Sequence, residues 1–225
     1  MTLTLDIRLL VFDWDGTLMD SEAQIVTCMH SAIGDLQLEP RSDDQVRNII
    51  GLGLWEAIDG LYPGRDRRFH KTFTARYRHY WLQSIGSSQL FAGARETLHE
   101  LKKKGYQLAV ATGKGRVGLA KVLQETGLEA MFNATRCADE SGSKPHPAML
   151  NDIMSELAIE PGCTLMVGDT EYDLEMASKA GAHSLGLACG VHSNERLLRH
   201  QPLAILNDIR ELTGWLEKQL IGTEI

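Results

Sequence analysis

Two rhythms of apolar and polar positions run along this chain. Residues 7–12 are almost all apolar, and the run stops at Asp13. A short apolar run ended by a polar cluster predicts a buried parallel strand with polar groups at its carboxyl end. Residues 106–111 repeat the pattern and end at Thr112-Gly113, and residues 164–168 repeat it again and end at Asp169. The runs 183–188 and 203–206 are weaker candidates. Between the strands the spacing becomes helical. Residues 95–104 place Leu98 and Leu101 on one face before Gly105, and 117–125 carry Leu119, Val122 and Leu123 before Gly127. Residues 147–157 align Met149, Leu150, Ile153, Met154 and Leu157; 174–180 stop at Gly181; 208–220 align Ile209, Leu212, Leu216 and Leu220. Glycine just past the last periodic residue is the usual helix stop. Strands alternating with helices predict an α/β fold, a parallel sheet with helices on both faces. Ligands in such folds bind at the carboxyl ends of strands, near the point where strand order reverses.

One stretch breaks the alternation. Residues 19–89 show no strand pattern and four helical ones: 21–36, 43–50 behind Ser42, 54–61, and 66–82 with Phe69, Phe73, Tyr77, Tyr80 and Trp81. The expected organisation is an α/β core of residues 1–18 and 90–225 with an inserted α-helical lobe of residues 19–89. Residues 86–93 would be the return hinge, and deleting residues 20–88 is expected to leave a foldable core.

Composition narrows the classes. The chain has 225 residues, 43% hydrophobic and 24% charged, which suits a globular protein with a sizeable core. A net charge of −7 gives no general attraction for nucleic acid or anionic membrane, so neither is an expected partner. Any phosphate site must then be local. Cys28, Cys137, Cys163 and Cys189 are widely spaced, form no Cys-x-x-Cys pair, and read as buried thiols in a reducing compartment. The N-terminal apolar run is too short for a signal peptide or a membrane span, and the expected location is cytoplasmic.

The chemistry begins at Asp13-Trp14-Asp15-Gly16-Thr17. On an extended strand end the two carboxylates would point to opposite sides. If the chain turns at Gly16, both face one cavity and attract a hard cation such as Mg²⁺. The metal would offset repulsion between a carboxylate and a phosphate dianion. Asp13 could then attack phosphorus, while Asp15 protonates the leaving oxygen and later takes a proton from water. By itself Asp-x-Asp-Gly is also an ordinary turn sequence.

Asp13-Trp14-Asp15-Gly16-Thr17-Leu18 resembles the first motif of the haloacid dehalogenase superfamily, and Met19-Asp20-Ser21-Glu22 resembles its phosphoglycolate phosphatase and β-phosphoglucomutase-like branch. Trp14 departs from the usual Phe. Ala111-Thr112-Gly113-Lys114 resembles the second motif, Ser143-Lys144-Pro145-His146-Pro147 the third, and Gly168-Asp169-Thr170-Glu171-Tyr172-Asp173 the fourth. The resemblance spans residues 7 to about 188. It implies a Rossmann-like core with a helical cap, and a Mg²⁺-dependent phosphatase acting on a small phosphorylated metabolite through an aspartyl-phosphate. It implies catalytic roles for Asp13, Asp15, Thr112 and Lys144. Phosphate would be bound by Gly16, Thr112, Gly113 and Lys144, and metal by Asp13, Asp15, Asp169 and Asp173. Assembly as a monomer or a homodimer is expected.

Residue detail separates the branches. Dehalogenases lack the second aspartate, so Asp15 points to phosphoryl transfer. Phosphonoacetaldehyde hydrolases need a cap lysine, and the insertion has only Lys71, on a strongly basic helix. Phosphoglucomutases carry cations in the cap loop, where this chain has Ile50-Gly51-Leu52-Gly53-Leu54. A phosphate-binding regulatory protein without turnover is the alternative of a different class, and the intact Asp13–Asp15 pair speaks against it. Gly113-Lys114-Gly115-Arg116-Val117-Gly118 matches a dinucleotide-binding fingerprint, with Asp139 as the ribose-binding acid, yet that reading leaves Asp13, Asp15, Lys144 and Asp169 unused. His183, His192 and His200 have no metal-ligand spacing. Arg65, Arg67, Arg68, Lys71, Arg76 and Arg78 read by default as a solvated helix face, with the drawing of an anionic substrate under the cap as the alternative.

Overall fold

A computed structural model of the chain describes residues 5–84, 86 and 88–221. Residues 1–4 and 222–225 of the expected core, residues 85 and 87, and the Leu220 and Ile221 side chains lie outside it. Six strands form one parallel sheet: β1 (Leu9–Phe12), β4 (Gln107–Thr112), β5 (Ala134–Cys137), β6 (Thr164–Gly168), β7 (His183–Leu187) and β8 (Ile205–Leu206). Their order is β5-β4-β1-β6-β7-β8. Two further strands, β2 (Met19–Asp20) and β3 (Gln89–Leu90), pair antiparallel with each other.

The sheet explains the apolar runs. Leu10 and Phe12 of β1 join Leu108 and Val110 of β4 and Val167 of β6 in one core cluster, against Leu98, Leu101, Leu119 and Leu212. Leu9 and Val11 face the other way, with Ala109, Ala111 and Met166, against Met149, Leu150, Ile153 and Met176. Because alternate residues are buried on opposite faces, the strands read as continuous rather than alternating.

Four helices lie between β2 and β3: α1 (Glu22–Asp35), α2 (Asp43–Arg47), α3 (Leu54–Leu61) and α4 (Arg67–Gln83). Ser42 and Gln45 form a capping box on α2, and the Asp66 carboxylate accepts from Phe69 N at the start of α4. The insertion has its own core around Met29, Ile33, Val46, Ile58, Leu61 and Phe73. Its last helix reaches further: Trp81, with Cys28 of α1, sits in the cluster that fills one face of the sheet. The remaining helices are α5 (Ala94–Lys103), α6 (Arg116–Thr126), α7 (Ala138–Ser141), α8 (Ala148–Leu157), α9 (Glu171–Ala180), α10 (Asn194–Leu198) and α11 (Leu212–Ile221). Among the described residues no helix is long and apolar enough to cross a membrane.

The sequence pattern missed three strands. β5 is a short edge strand whose central Thr135 and Arg136 are half-buried, so it has no apolar run to announce it. β2 and β3 are two residues each, set at the two ends of the segment read as strandless, where the chain leaves for the insertion and returns. α7 and α10 were also missed, being short.

Candidate active site

β1 lies between β4 and β6, with Phe12 opposite Val110 on one side and Val167 on the other. Strand order reverses around β1, so the carboxyl ends of these three strands form the crevice where ligands enter such sheets. Asp13, Thr112 and Asp169 all stand at that edge and all are buried.

After β1 the chain turns at once. Leu18 N and Met19 N both donate to Trp14 O, at 3.0 and 2.9 Å, and Gly16 N donates to Met19 O at 2.9 Å. Gly16 has a φ of +81°, and a Cβ there would lie 2.2 Å from Asp169 Oδ2. Both the conformation and the close approach require glycine. The turn brings Asp13 and Asp15 to the same cavity, which both residues line.

Lys144 is buried between two carboxylates. Its Nζ lies 2.6 Å from Asp13 Oδ1 and 2.6 Å from Asp173 Oδ1. Burial acts to lower the lysine, but Asp13 and Asp173 outweigh it and hold the ammonium above its ordinary value. Asp169 Oδ1 accepts from Thr17 Oγ1 at 2.7 Å, and its Oδ2 accepts from Val191 N at 2.9 Å. Asp173 Oδ2 accepts from Thr170 Oγ1 at 2.7 Å, closing a capping box at the start of α9. The capping role of Asp173 and its place in the site are therefore compatible, because its two oxygens face different partners.

Asp13, Asp169 and Asp173 each place a carboxylate oxygen within 4.8 Å of the others. Three buried carboxylates face one ammonium, and Asp13 Oδ2 has no hydrogen-bond partner. Burial, then the neighbouring Asp173 carboxylate, pushes Asp169 up to about 7; burial likewise pushes Asp13 well above the ordinary carboxylate range, against the pull of Lys144. An all-oxygen donor set with surplus negative charge fits a hard divalent cation such as Mg²⁺.

Asp15 stands apart from this cluster. Its Oδ1 accepts from Ser21 Oγ at 2.5 Å and meets Lys114 Nζ at 2.9 Å. With its Oδ1 held by these two donors, Asp15 is not among the carboxylates that cluster, which are Asp13, Asp169 and Asp173. Thr112 Oγ1 accepts from Lys114 N at 3.2 Å, leaving the hydroxyl proton for an incoming oxygen. At Gly113 a Cβ would lie 2.3 Å from Leu52 O, so the inserted loop before α3 rests directly on the end of β4. Gly53 N donates to Ser143 Oγ at 2.7 Å and ties the same loop to the residue before Lys144.

The haloacid dehalogenase-like hydrolase family matches residues 10–187. The chain belongs to that family. The "Probable phosphatase IndB" of Dickeya dadantii is 35% identical over 217 residues, 92% of each chain. A phosphoglycolate phosphatase of Haemophilus influenzae is 29% identical over 215 residues, 91% of this chain and 96% of its own. Among solved structures, a predicted phosphoglycolate phosphatase from Haemophilus somnus has a TM-score of 0.80 at 27% identity, covering 93% of this chain and 98% of that one. A predicted phosphatase from Clostridium acetobutylicum has a TM-score of 0.85 at 25% identity, covering 94% and 99%.

Within this hydrolase several residues were passed over by sequence reasoning. Lys114 was quoted in the second motif and in a glycine-rich run without a role of its own, and nothing in the sequence pairs it with Asp15. Ser21, Thr17 and Thr170 are hydroxyls that orient the acids, and Ser21 was quoted only as part of a motif. Asp139, considered as a ribose ligand, accepts from Arg116 N and so caps α6. His192 is buried; its Nδ1 accepts from Glu171 N at 3.0 Å, and burial lowers it to about 4, so it is neutral. The six basic residues from Arg65 to Arg78 are exposed, and Arg78 also lines the cavity. All four cysteines are free, Cys28 and Cys137 buried as expected, Cys163 and Cys189 only half-buried.

Proposed function

We propose that this hydrolase is a Mg²⁺-dependent phosphatase that cleaves a small phosphate monoester through an aspartyl-phosphate on Asp13. The observation that carries the reading is the buried set of Asp13, Asp169 and Asp173 around Lys144 at the ends of β1 and β6. Asp13, Asp169 and Asp173 would hold the metal, with Asp15 near it through the same turn. Bound Mg²⁺ supplies positive charge against the phosphoryl oxygens.

The chain's own groups do the rest. Lys144 keeps positive charge beside Asp13 and neutralises the oxygens that crowd there. The free proton of the Thr112 hydroxyl and the backbone of Gly113 would cradle the phosphoryl group, with Gly16, whose N–H is taken by Met19 O, shaping the turn beside it. An Asp13 oxygen forms a bond to phosphorus as the ester P–O bond breaks, and Asp15 gives its proton to the leaving oxygen. Asp15 then takes a proton from water, whose oxygen attacks phosphorus and frees Asp13 and inorganic phosphate. Ser21 and Lys114 fix the Asp15 carboxylate for both transfers.

In this reading residues 19–89 are a cap over a core of residues 1–18 and 90–225, and the loop at Gly51–Gly53 excludes water when it lies on Gly113. A reducing, cytoplasmic setting suits four free thiols. The names of the relatives make phosphoglycolate the first ester to assay. Hydrolysis of an aryl phosphate is expected with Mg²⁺ and not with chelator, and Asp13→Asn is expected to abolish it. Equal turnover by wild type and Asp13→Asn would sink the mechanism.

A further inference from the structure

We infer that the ester cleaved here carries an apolar, ring-sized alcohol as its leaving group, larger and less charged than a two-carbon acid. The inference rests on the phosphatase reading and concerns the part of the same cavity beyond the phosphoryl end.

The cavity measures about 390 Å³. It falls within the size range of pockets that enclose drug-sized ligands. Asp13 and Asp15 mark one end. The rest of the lining is largely apolar: Ile25, Met29 and Ile50 of the insertion with Tyr77 and Trp81 of α4, the Trp81 ring lying 5.2 Å from Lys114 Nζ.

The mouth is apolar as well. Five large apolar side chains are exposed among the described residues, and three line this one cavity: Trp55 (42%), Leu82 (47%) and Val117 (70%). They come from α3, α4 and α6, so the chain brings them together only by folding. Apolar groups gathered at the opening of a cavity mark a surface meant to be covered.

The charges point the same way. Lys114 is held by Asp15. The other ionisable side chains lining the cavity, outside the acid pair, are Arg78, Glu56 and Asp139, one cation against two carboxylates. A leaving group with its own carboxylate would meet this acidic balance and a mostly apolar wall. A ring would displace the water and gain contact with Met29, Tyr77 and Trp81.

The test compares primary alkyl esters, which match the leaving oxygen's reactivity: 2-(naphthyl)ethyl phosphate, ethyl phosphate and phosphoglycolate, with the full chain and Mg²⁺. Small apolar differences already shift kcat/KM by about 10-fold or more in such pockets. The naphthyl ester is expected to exceed both others by at least about tenfold. Val117→Asp and Leu82→Asp, at exposed positions, are expected to cut the naphthyl-to-ethyl ratio about tenfold. A kcat/KM for phosphoglycolate equal to or above that of the naphthyl ester would overturn the inference and leave the phosphatase standing. An unchanged ratio in both variants would overturn it too. No turnover of any ester, or turnover that survives Asp13→Asn, would instead bring down the underlying reading.

Discussion

Lys144 shows how much of this site hangs on single residues. It is fully buried, and its one charge answers Asp13 and Asp173 directly while Asp169 lies close by. Removing one partner of a buried ion pair leaves uncompensated charge and costs about 3–5 kcal/mol. Lys144→Met is therefore expected to lower the unfolding free energy by about that amount in metal-free protein. Denaturant melts with and without Mg²⁺ check this, and a loss below about 1 kcal/mol would mean the carboxylates are already neutral or solvated. The residue types of the site were legible in the sequence, because acids, a lysine and a threonine stand just past apolar runs or in a recognisable loop. Their partners were not. Ser21 and Lys114 meet on one oxygen of Asp15 across 93 residues of chain, a juxtaposition no spacing encodes.

At the scale of elements, the inserted loop and the end of β4 are fitted to one another. Leu52 O and Gly51 O occupy the space a Cβ on Gly113 would need, at 2.3 and 2.6 Å. The obstacle is backbone, which cannot swing aside as a side chain can. Gly113→Ala must push the loop away and displace the groups around the phosphoryl end. A displacement of about 1 Å near a reacting centre can cost about 10²-fold in rate. That loss in kcat/KM is expected, with a melting temperature close to wild type because the loop, not the core, moves. Wild-type kinetics in Gly113→Ala would show that the loop does not close over the reacting ester. The helices were the most legible elements, since α3 matches its expected span and α1 and α4 match within one residue at each end. The two-residue pair β2–β3 was illegible, because it exists only through pairing between the two ends of the insertion.

For the molecule as a whole, the insertion is less detachable than its composition implies. It holds its own cluster around Phe73 and Ile58, yet Trp81 and Cys28 pack into the cluster on the sheet. Deleting residues 20–88 exposes the ground they cover. A buried aromatic of this kind is worth about 3–5 kcal/mol on truncation to alanine. The deleted chain is expected to melt cooperatively but at a clearly lower temperature than the full chain. A melting temperature at or above that of the full chain would make the insertion an independent lobe. Loss of any cooperative transition would make it part of the folding unit.

The sequence alone determined the α/β class, the inserted helices and the kinds of group brought to the strand ends. These depend on local periodicity and on where apolar runs stop, and both are written in neighbouring residues. Folding decided which groups meet. The order of strands around β1 sets Asp13 between Thr112 and Asp169, and the Lys144 loop and α9 complete the ring of charge. Packing of α3, α4 and α6 around one opening gathers Trp55, Leu82 and Val117 into an apolar mouth. Such meetings join residues far apart in the chain, so they follow from the geometry of the packed sheet and not from any local pattern.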